Sequence, residues 1–373
     1  MSKNYTIKKQ FKIVMKKLLL LSLITLSTSL LSCGNNSGKV DTSKICIDYG
    51  HIRDTNLSQS DLKDLTYKQL DSLVTNKESF ILITENGVDD NSCGCWSGFK
   101  PLLVDFSNKH NFEFYYFNVA ALEGQITDFG IYDIPVQLPG ICFFKRGKLI
   151  RQTIYGKTSE NARRMFSSYD LFEQFMFENI YLPKMYYIGR NKLDALKEEE
   201  GKEFPLYVAR KTCGDCLNIQ KNYLYSWSDN LKGHYDKALY IFDFDIYRGT
   251  EEYQSEKDAF GLSEAGNEKF GFSEGVFPTF QYIKSGEIYD MISVLNDTVS
   301  KTEENTFILS SYFNEHRVNN SPLLSASPNY ILDGTTVDPK YVNESEGKVW
   351  LTSEGKFALH KEIVEVFINN YVI

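Results

Sequence analysis

The sequence lacks features on which several common classes of protein depend. Its formal net charge is −8, and no block of lysine and arginine follows the N-terminal segment. The basic surface that nucleic-acid binding requires is therefore missing. The sequence also contains no phosphate-binding loop, nucleophile elbow or zinc-protease motif. These absences exclude nucleic acid as the expected partner and leave the cysteines as the main candidates for chemistry.

Histidine is scarce, and the five histidines do not form a ligand pattern. They lie apart in sequence, and none is part of a cysteine motif. No second cysteine pair has the spacing of a zinc ribbon, so we predict no metal site with four ligands. We expect each histidine to be a surface residue or a hydrogen-bonded structural residue. The histidines are His51, His110, His234, His316 and His360.

One apolar segment stands near the N-terminus, and no other stretch is long and apolar enough to span a bilayer. Residues 18–31 are apolar apart from serine and threonine, and they follow a lysine-rich region. This pattern is typical of a signal peptide. The segment ends in Leu31-Ser32-Cys33-Gly34, which resembles a bacterial lipoprotein processing site with Cys33 as the lipidated residue. The alternative is an ordinary secretory signal. We expect an extracytoplasmic protein of the bacterial cell envelope, lipid-anchored in the inner or the outer membrane.

Four of the seven cysteines form two tight clusters. Two residues separate Cys213 from Cys216, and this pair follows the apolar run 204–209. One residue separates Cys93 from Cys95. A secreted protein stapled by disulfides usually spreads its pairs far apart. The clusters therefore favour redox or metal chemistry over structural disulfide cross-links.

Two further cysteines lie outside these clusters. Cys142 lies in an apolar strand, and we expect it to be a small buried hydrophobic residue. Cys46 lies in a possible edge strand, 44–48, where it is either buried or cross-linked elsewhere.

The chain contains an internal repeat. Each copy has an amphipathic helix, an apolar strand, a cysteine motif at the end of that strand, a helix, a second apolar strand and a hairpin opened by proline. Alternating strands and helices indicate a parallel-type α/β core. The matched segments are 67–73 with 190–196, 80–84 with 204–209, 112–119 with 238–245, and 139–148 with 278–287.

This order of elements resembles the thioredoxin fold, and the resemblance covers most of residues 60–318. It implies an α/β protein with two tandem thioredoxin-like domains, each a central mixed sheet flanked by helices, and a C-terminal extension. It also implies that Pro139 and Pro278 are cis prolines beside the reactive sulfurs. The expected organisation is a signal peptide with the lipidated cysteine at 1–33, a linker at 34–58, domains at 59–182 and 183–318, and the extension at 319–373.

The second domain departs from the family at three places. Tyr207 stands where thioredoxins place a partly buried acid, so the usual proton acceptor is missing. Thr212 replaces the aromatic residue before the first cysteine. The stretch 249–275 is longer than usual, and we expect an inserted loop that acts as a lid or a partner surface.

The resemblance assigns different roles to the two thiols of the complete pair. Cys213 would attack, because a helix N-terminus and the nearby Arg210 and Lys211 stabilise a thiolate. Cys216 would resolve the mixed disulfide. The carboxylate of Asp215 destabilises the thiolate and so favours the oxidised pair. We therefore expect the reduction potential of the Cys213–Cys216 pair to be nearer roughly −270 mV than roughly −120 mV. The alternative is a permanent, inert disulfide.

The first cluster is compatible with three kinds of site. Alignment on Pro101, where thioredoxins carry a proline that kinks the helix, places Cys93 at the attacking position and Trp96 at the resolving one. Cys93 and Cys95 then form a strained, easily reduced disulfide, with Pro139 as the neighbouring proline. The second possibility is a Cu(I) site made by the two thiolates. The third is a degenerate domain kept for binding.

The end of the chain predicts one more helix, at 356–371. Four apolar residues fall on one face of it, and we expect this face to pack on the second domain or on a partner. They are Ile363, Val366, Phe367 and Tyr371.

The sequence as a whole predicts a membrane-anchored thiol–disulfide oxidoreductase, reductase-like or isomerase-like, whose substrates are proteins with disulfides or thiols. Cys213 and Cys216 would carry the chemistry, Pro278 would shape the substrate groove, and no cofactor or metal is required. Two rival functions remain. One is a surface lipoprotein that binds a protein partner without catalysis, and the second is Cu(I) handling by Cys93 and Cys95.

Overall fold

The structure is a computed structural model. It describes residues 44–62, 64–85, 94–118, 140–154, 167–231, 237–263, 277–293, 298–310 and 333–373.

The α-helices of the described residues are α1 (Tyr67–Thr75), α2 (Gly94–His110), α3 (Tyr169–Asn179), α4 (Arg190–Glu198), α5 (Gly214–Ile219), α6 (Tyr225–Leu231), α7 (Tyr253–Ala259) and α8 (Ser353–Tyr371). A π-helical segment, Gln220–Leu224, joins α5 to α6, and short 3-10 helices occur at Gln59–Asp61, Phe244–Tyr247 and Pro339–Tyr341.

The strands are β1 (Ile45–Cys46), β2 (Gly50–Ile52), β3 (Phe80–Glu85), β4 (Tyr115–Asn118), β5 (Gly140–Lys145), β6 (Lys148–Ile154), β7 (Ile180–Tyr181), β8 (Met185–Ile188), β9 (Glu203–Ala209), β10 (Leu239–Asp243), β11 (Thr279–Lys284), β12 (Glu287–Ser293), β13 (Thr298–Lys301), β14 (Phe307–Ser310), β15 (Asp333–Thr336), β16 (Val342–Ser345) and β17 (Lys348–Leu351).

The sheet of the second domain has the order β8-β10-β9-β11-β12. Strands β8, β10 and β9 are parallel, and β11 and β12 form an antiparallel hairpin on β9. Helices lie between β8 and β9, between β9 and β10, and between β10 and β11. Counted within the domain, the order is first, third, second, fourth and fifth strand, which is the thioredoxin-like arrangement.

The sheet of the first domain repeats this order with its first strand almost absent. Strands β4, β3, β5 and β6 are neighbours in that order, with β3 parallel to β4 and antiparallel to β5. The first strand is represented by a single parallel bridge between Asp64 and Tyr116 of β4. The predicted fold class is therefore confirmed as two tandem thioredoxin-like domains.

The two hairpins are built alike because their turns require the same backbone. Arg146 and Gly147 both have positive φ, at 50° and 74°, and Ser285 and Gly286 repeat this at 50° and 82°. Positive φ at both central residues defines a type I′ turn. A Cβ atom at Gly147 would lie 2.3 Å from the carbonyl oxygen of Val74. Glycine is therefore needed where the turn meets the end of α1.

Alternation of side chains along β3 gives the first domain two apolar layers. Phe80 and Leu82 pack with Leu70 and Leu73 of α1 on one face of the sheet. Ile81 and Ile83 pack on the other face of the sheet, against α2 and α3. A strand buried on both faces has a continuous apolar sequence, which explains the residues at 80–83.

The segment expected as a linker at 34–58 contributes two strands. Strand β1 pairs with β7, and β2 adds to the sheet of the second domain beside β8. Ile45, Cys46 and Ile47 are buried. This segment therefore takes part in the core of the protein, because it carries apolar residues that need cover.

A buried ion pair joins this segment to the first domain. Asp48 is fully buried, and its Oδ1 accepts a hydrogen bond from Nη1 of Arg146 at 2.6 Å. The backbone N–H of Ser79 donates to the other carboxylate oxygen at 2.7 Å. Arg146 also donates to the backbone carbonyl of Tyr225 in the second domain. One arginine of the β5–β6 turn therefore connects three parts of the chain.

A second buried carboxyl lies next to this pair. The hydroxyl of Tyr49 donates to Oε2 of Glu78 at 2.7 Å, and it lies 2.9 Å from the hydroxyl of Tyr115. Burial raises the pKa of both Asp48 and Glu78 to about 7, against the opposing effect of Arg146. Both carboxyls therefore titrate near neutral pH.

Part of the stretch expected as an inserted loop is a helix. Within 249–275, the described residues 249–263 contain α7, and Phe260 and Leu262 after it are buried in the core of the second domain. Helix α7 lies between β10 and β11, so it is a regular element of the domain. The expectation of a loop is wrong for this part, because apolar residues anchor it. Residues 264–276 lie outside the described residues.

The C-terminal helix α8 packs on the sheet of the second domain. The ring of Tyr371 stacks on Tyr282 with centroids 4.2 Å apart, and Phe367 lies 5.3 Å from Phe280. Its position matches that of α3 in the first domain, which packs on α2 after the hairpin.

Of the four residues predicted for the buried face of α8, Phe367 is buried and Tyr371 is half-buried against Tyr282, whereas the side chain of Ile363 lies outside the described residues. The buried side chains of α8 are Leu359, His360, Val364, Phe367, Ile368 and, just after the helix, Val372, whereas Val366 is only half-buried.

No helix in the described part of the chain has both the length and the apolar character needed to cross a membrane.

Candidate active site

The complete cysteine pair lies at the start of α5, just beyond the carboxyl end of β9. Cys213 is the N-cap residue of this helix, and its Sγ accepts a hydrogen bond from the backbone N–H of Cys216 at 3.3 Å. The tight turn before it is closed by a bond from the N–H of Cys213 to the carbonyl of Arg210 at 3.1 Å. The strand and turn therefore aim the first sulfur at the unpaired N–H groups of the helix.

The two thiols differ in exposure. Cys213 is half-buried, whereas Cys216 is fully buried. The backbone N–H of Arg210 donates to Sγ of Cys216 at 3.4 Å. A substrate can therefore reach only the first sulfur, as the predicted roles of the two thiols require.

The site lowers the pKa of Cys213 to about 6. The largest cause is the hydrogen bond from the thiol of Cys216, and the N–H groups of Cys216 and Asp215 add to it, while burial and the Asp215 carboxylate oppose it. Burial raises the pKa of Cys216. The backbone N–H of Asp215 therefore stabilises the Cys213 thiolate, whereas its carboxylate destabilises it. The hydrogen bonds outweigh the effect expected of the carboxylate.

The peptide bond between Phe277 and Pro278 is cis, as the resemblance implies. Sγ of Cys213 lies 3.7 Å from the carbonyl oxygen of Phe277, to which it donates. The ring of Phe277 packs 5.0 Å from that of Phe244. The proline loop and the attacking sulfur are therefore direct neighbours.

Both cations expected to stabilise the thiolate are paired with carboxylates. Nε of Arg210 lies 2.8 Å from Oδ1 of Asp245, and Nζ of Lys211 lies 3.3 Å from Oδ2 of Asp243. Their charges are largely balanced, so hydrogen bonds and the helix terminus account for the lowered pKa of the thiol.

Tyr207 fills the place of the missing acid. It is fully buried, and its hydroxyl donates to the carbonyl oxygen of Cys216 at 3.3 Å. Burial raises its pKa well above 10, so the phenol stays neutral and does not accept a proton near neutral pH. Its ring stacks on Phe280 at 4.5 Å.

The structure says less about the first cluster. Cys93 and Pro139 lie outside the described residues, as does the expected lipidation site, Cys33. Cys95 lies in the first turn of α2, of which only the backbone is described. The three kinds of site predicted for this cluster therefore stay open, although Pro101 lies within α2 as expected.

The remaining cysteines have ordinary surroundings. Burial raises the pKa of Cys142 to about 12, which fits a small buried hydrophobic residue. Cys46 is buried, and its Sγ donates to the carbonyl of Asp229 at 3.9 Å. Within the described ranges, no three His, Cys, Asp or Glu side chains form a group that could hold a metal ion.

A cleft of about 430 Å³ opens at the same edge of the sheet as the cysteine pair. It lies between residues 51–57 and the second domain, and Lys211, Asp243 and Ile246 line its inner side. Lys211 is two residues before Cys213, which is not itself among the residues that line the cleft.

Sequence reasoning missed His360. This residue was expected to be exposed or hydrogen-bonded, yet only 4% of it is exposed. Its Nδ1 atom has no hydrogen-bond partner among the described residues. The spacing of His360 with Val364 and Phe367 on one face of α8 is the signal that could have placed it inside.

These two domains define a protein of the thioredoxin-like fold with one complete cysteine pair. No protein-family model matches the chain, and no curated protein matches it by sequence. Among solved structures, the chain is similar to the bb fragment of ERp72, with 12% identity, a TM-score of 0.29 and coverage of 83% of this chain and 96% of the fragment.

Two further structures are similar over part of their length. The zinc-bound form of human ERp44 has 10% identity and a TM-score of 0.24, with coverage of 61% of this chain and 54% of that protein. Form II of ERdj5 has 14% identity and a TM-score of 0.22, with coverage of 62% and 25%. The chain thus spans about half of human ERp44 and a quarter of ERdj5. Because these scores are low, the strand order carries the fold assignment.

Proposed function

We propose that this chain is an extracytoplasmic, membrane-anchored thiol–disulfide oxidoreductase that acts on protein disulfides. The observation that carries the proposal is the unequal pair at the start of α5. Cys213 is accessible and has a lowered pKa, whereas Cys216 is buried behind it with a raised one. A thiolate is the nucleophile in disulfide exchange, so this asymmetry separates attack from resolution. The cis Pro278 beside the sulfur shapes the groove that receives the substrate.

The exchange has two balanced steps. The Cys213 thiolate attacks one sulfur of a substrate disulfide, a mixed disulfide forms, and the other substrate sulfur leaves as a thiolate. Cys216 then loses its proton and attacks Sγ of Cys213, and the second substrate sulfur leaves. Two electrons pass to the substrate, and a dithiol donor returns the pair to its reduced form. The reverse sequence oxidises a substrate dithiol.

The lowered pKa of Cys213 raises the reduction potential expected for the Cys213–Cys216 pair. Stabilising the thiolate stabilises the reduced form, which makes a couple more oxidising. The surroundings of Cys213 therefore move the expected value from that of thioredoxin, roughly −270 mV, toward that of disulfide isomerases, roughly −180 mV.

The substrate would lie along the cleft beside Lys211. Lys211, which precedes Cys213 by two residues, lines this cleft together with residues 51–57, so an extended polypeptide segment bound there would lie beside the turn that carries the attacking cysteine. The first domain would serve as a partner thiol site or as a recruitment surface.

The lipid anchor is a separate part of the proposal. Cys33 would carry the lipid, and the chain after it would face an extracytoplasmic compartment of the bacterial envelope. Acyl chains at one cysteine give stable anchoring because their burial energies add. Cys33→Ser should move the protein from the membrane fraction to the soluble fraction and remove the lipid mass from the N-terminal peptide. An unchanged distribution would contradict the anchor alone.

Insulin reduction tests the activity. The wild-type chain should reduce insulin in the presence of dithiothreitol, and Cys213→Ser should reduce the rate to that of dithiothreitol alone. If the wild-type chain is no faster than this variant, the enzymatic proposal fails.

A non-catalytic binding role is the second candidate, and Tyr207 is the observation that favours it. A buried phenol in place of the acid removes the usual proton acceptor for Cys216. In this role, the chain would bind a protein partner on the same scaffold. Partner binding that is unaffected by Cys213→Ser, together with an absence of insulin reduction, would support it.

A further inference from the structure

The side chain of His360 is buried without an evident structural reason. Only 4% of the residue is exposed, and Nδ1 finds no hydrogen-bond partner in the described part of the chain. A buried polar atom without a partner destabilises the folded state, so it calls for an explanation. The neighbouring apolar residues of α8 would fill such a position at no polar cost.

The register of α8 on β11 places His360 near the proline loop. Tyr371 packs on Tyr282 and Phe367 packs on Phe280, so the helix and the strand run in the same direction. His360 precedes Phe367 by seven residues, which is about 10 Å at a rise of about 1.5 Å per residue. Three strand residues at about 3.4 Å each cover the same length. Counted back from Phe280, they end at the level of Phe277, the residue before Pro278.

Helix α8 covers the face of the sheet where the missing acid would lie. Tyr207 and Phe280 are paired in register, and their stacked rings point to the same face. Phe367 of α8 packs on that same Phe280. Tyr207 contacts Cys216 from this face through the hydrogen bond from its hydroxyl to the Cys216 carbonyl. The buried thiol and α8 are therefore on one side of the sheet.

Two further observations relate the position of His360 to α5. Helix α8 contacts α5 directly, and Leu359 belongs to the same apolar core as Cys216. The carboxylate of Asp215, in the first turn of α5, acts electrostatically on His360. Helix α8 therefore packs against the helix that carries both sulfurs, and His360 lies on the buried side of α8.

We propose that His360 accepts the proton of Cys216 when the mixed disulfide is resolved, in place of the acid that Tyr207 has replaced. This inference rests on the thiol–disulfide exchange proposed above. The Cys216 thiol transfers its proton to the free nitrogen of the imidazole. The resulting thiolate attacks Sγ of Cys213, the substrate thiolate leaves, and the imidazolium returns its proton to that thiolate or to water.

The charged groups around His360 are consistent with a neutral imidazole at neutral pH. Burial lowers the pKa of His360 from its ordinary value, Asp215 on α5 opposes this shift, and Lys356 one turn earlier on α8 adds to it. Tyr207 on β9 stays neutral. Below its pKa the imidazole is protonated and cannot accept the proton, so resolution should slow at acidic pH.

The test uses the full mature chain and oxidised glutathione as the disulfide. Rapid acid quenching followed by mass spectrometry of the Cys213 peptide measures the mixed disulfide and the Cys213–Cys216 disulfide over time. His360→Gln keeps the size and polarity but cannot take up a proton. It should slow resolution by about 100-fold at neutral pH, the lower range for a general base, and leave the attack of Cys213 unchanged. The mixed disulfide should then accumulate.

The pH profile and a rescue separate a proton acceptor from a structural residue. The wild-type resolution rate should level off above an inflexion below pH 6.5, the ordinary pKa of histidine. In His360→Gln it should rise steadily with pH. Added imidazole should restore resolution in His360→Ala, and it should not affect Lys361→Gln, an exposed neighbour on α8 that serves as the matched control.

The outcomes are distinguishable. Resolution in His360→Gln at the wild-type rate, with the same pH profile, would overturn the role of His360 and leave thiol exchange intact. If the wild-type Cys213 forms no mixed disulfide, the proposed function fails and the role of His360 fails with it. Should the glutamine variant misfold, the presence or absence of imidazole rescue in His360→Ala decides the matter.

Discussion

The helix after the cysteine motif is interrupted in both domains, but by different means. In the first domain, α2 is one helix of 17 residues with Pro101 inside it. In the second domain, α5 and α6 flank the π-helical segment Gln220–Leu224. Counted from Gly94 and Gly214, the proline is the eighth residue and the π segment covers the seventh to the eleventh. The proline and the π-helical segment both alter the regular helical hydrogen bonding at the same place. The interruption is therefore a feature that both domains share, whichever kind of site the first cysteine cluster forms.

The helix that packs on this interrupted helix also differs between the two domains. In the first domain, α3 packs on α2 through aromatic contacts, with Phe172 5.7 Å from Phe99 and 5.8 Å from Phe106. In the second domain, α8 adds the buried imidazole of His360 beside apolar contacts. The first domain also has polar side chains between these helices, but they are paired, since Nε2 of His110 lies 2.6 Å from Oε1 of Glu173. Nδ1 of His360 has no such partner among the described residues, which indicates a function that the first domain does not perform in the same way.

The largest expected effect separates the two cysteine clusters. Cys213→Ser should reduce insulin reduction to the background rate, because it removes the low-pKa nucleophile. Cys95→Ser should keep most of the activity, since the second domain holds the complete pair. Turbidity of precipitating insulin measures both variants. Equal losses in the two variants would show that the domains act as one redox unit.

The second effect tests the equivalent turns of the two hairpins. Arg146→Ala should lower the free energy of unfolding by roughly 3 kcal/mol, because the hydrogen bonds of Arg146 to Asp48 and to the carbonyl of Tyr225 are lost, while Asp48 becomes protonated. Ser285 occupies the same turn position in the second domain, and Ser285→Ala should change stability by less than about 0.5 kcal/mol.

Urea unfolding followed by circular dichroism measures both turn variants. A small loss in Arg146→Ala would contradict the view that this arginine joins the domains.

The third effect concerns the pH dependence of stability. The pKa values of Asp48 and Glu78 in the folded state are about 7, above their ordinary values. Above about pH 6 the unfolded chain has lost both protons, so stability falls as pH rises from 6 through 7 and levels off near pH 8. We expect a loss of about 3 kcal/mol from these two groups between pH 6 and pH 8.

Unfolding curves of Asp48→Asn combined with Glu78→Gln show whether these groups cause the loss. The double variant should lose most of this slope relative to the wild type. A slope that persists in it would assign the dependence to different groups.

The smallest effect distinguishes the cysteines by their reactivity. Alkylation of Cys213 by iodoacetamide should follow an ionisation with a midpoint near pH 6, because hydrogen bonds at the helix terminus stabilise the thiolate. Cys142, with a pKa of about 12, should stay unreacted over the same range in the folded chain. Peptide mass spectrometry after timed quenching measures both. A midpoint for Cys213 at its ordinary value near 9 would remove the basis for its role as attacking thiol.

Local patterns in the sequence predict most of the fold, because each domain repeats them. The apolar runs at 80–84 and 204–209 and the two glycine-bearing turns are local signals, and they give the strand order by comparison with each other. The first strand of the first domain could not be predicted, since it consists of one bridge at Asp64. The pairing of Asp48 with Arg146 joins residues far apart in sequence, which no local pattern reveals.

The candidate site was predictable to a similar extent. The spacing of Cys213 and Cys216, with Pro278 downstream, indicates the arrangement that the structure shows around α5. The balance of effects on the Cys213 thiol was not predictable, because it depends on the direction of single N–H groups. His360 lies seven residues before Phe367 and therefore on the predicted face of α8, but it was missed because histidine as a residue type is expected at the surface or in a hydrogen-bonded position.

A glutathione redox titration of the full mature chain tests the central claim most directly. Mass spectrometry of the quenched chain measures the fraction of Cys213 and Cys216 joined in a disulfide at each glutathione ratio. We predict one reversible two-electron transition between roughly −180 and −270 mV, the range from disulfide isomerase to thioredoxin. A pair that forms no disulfide at any ratio, or a potential above the isomerase value, would contradict this prediction.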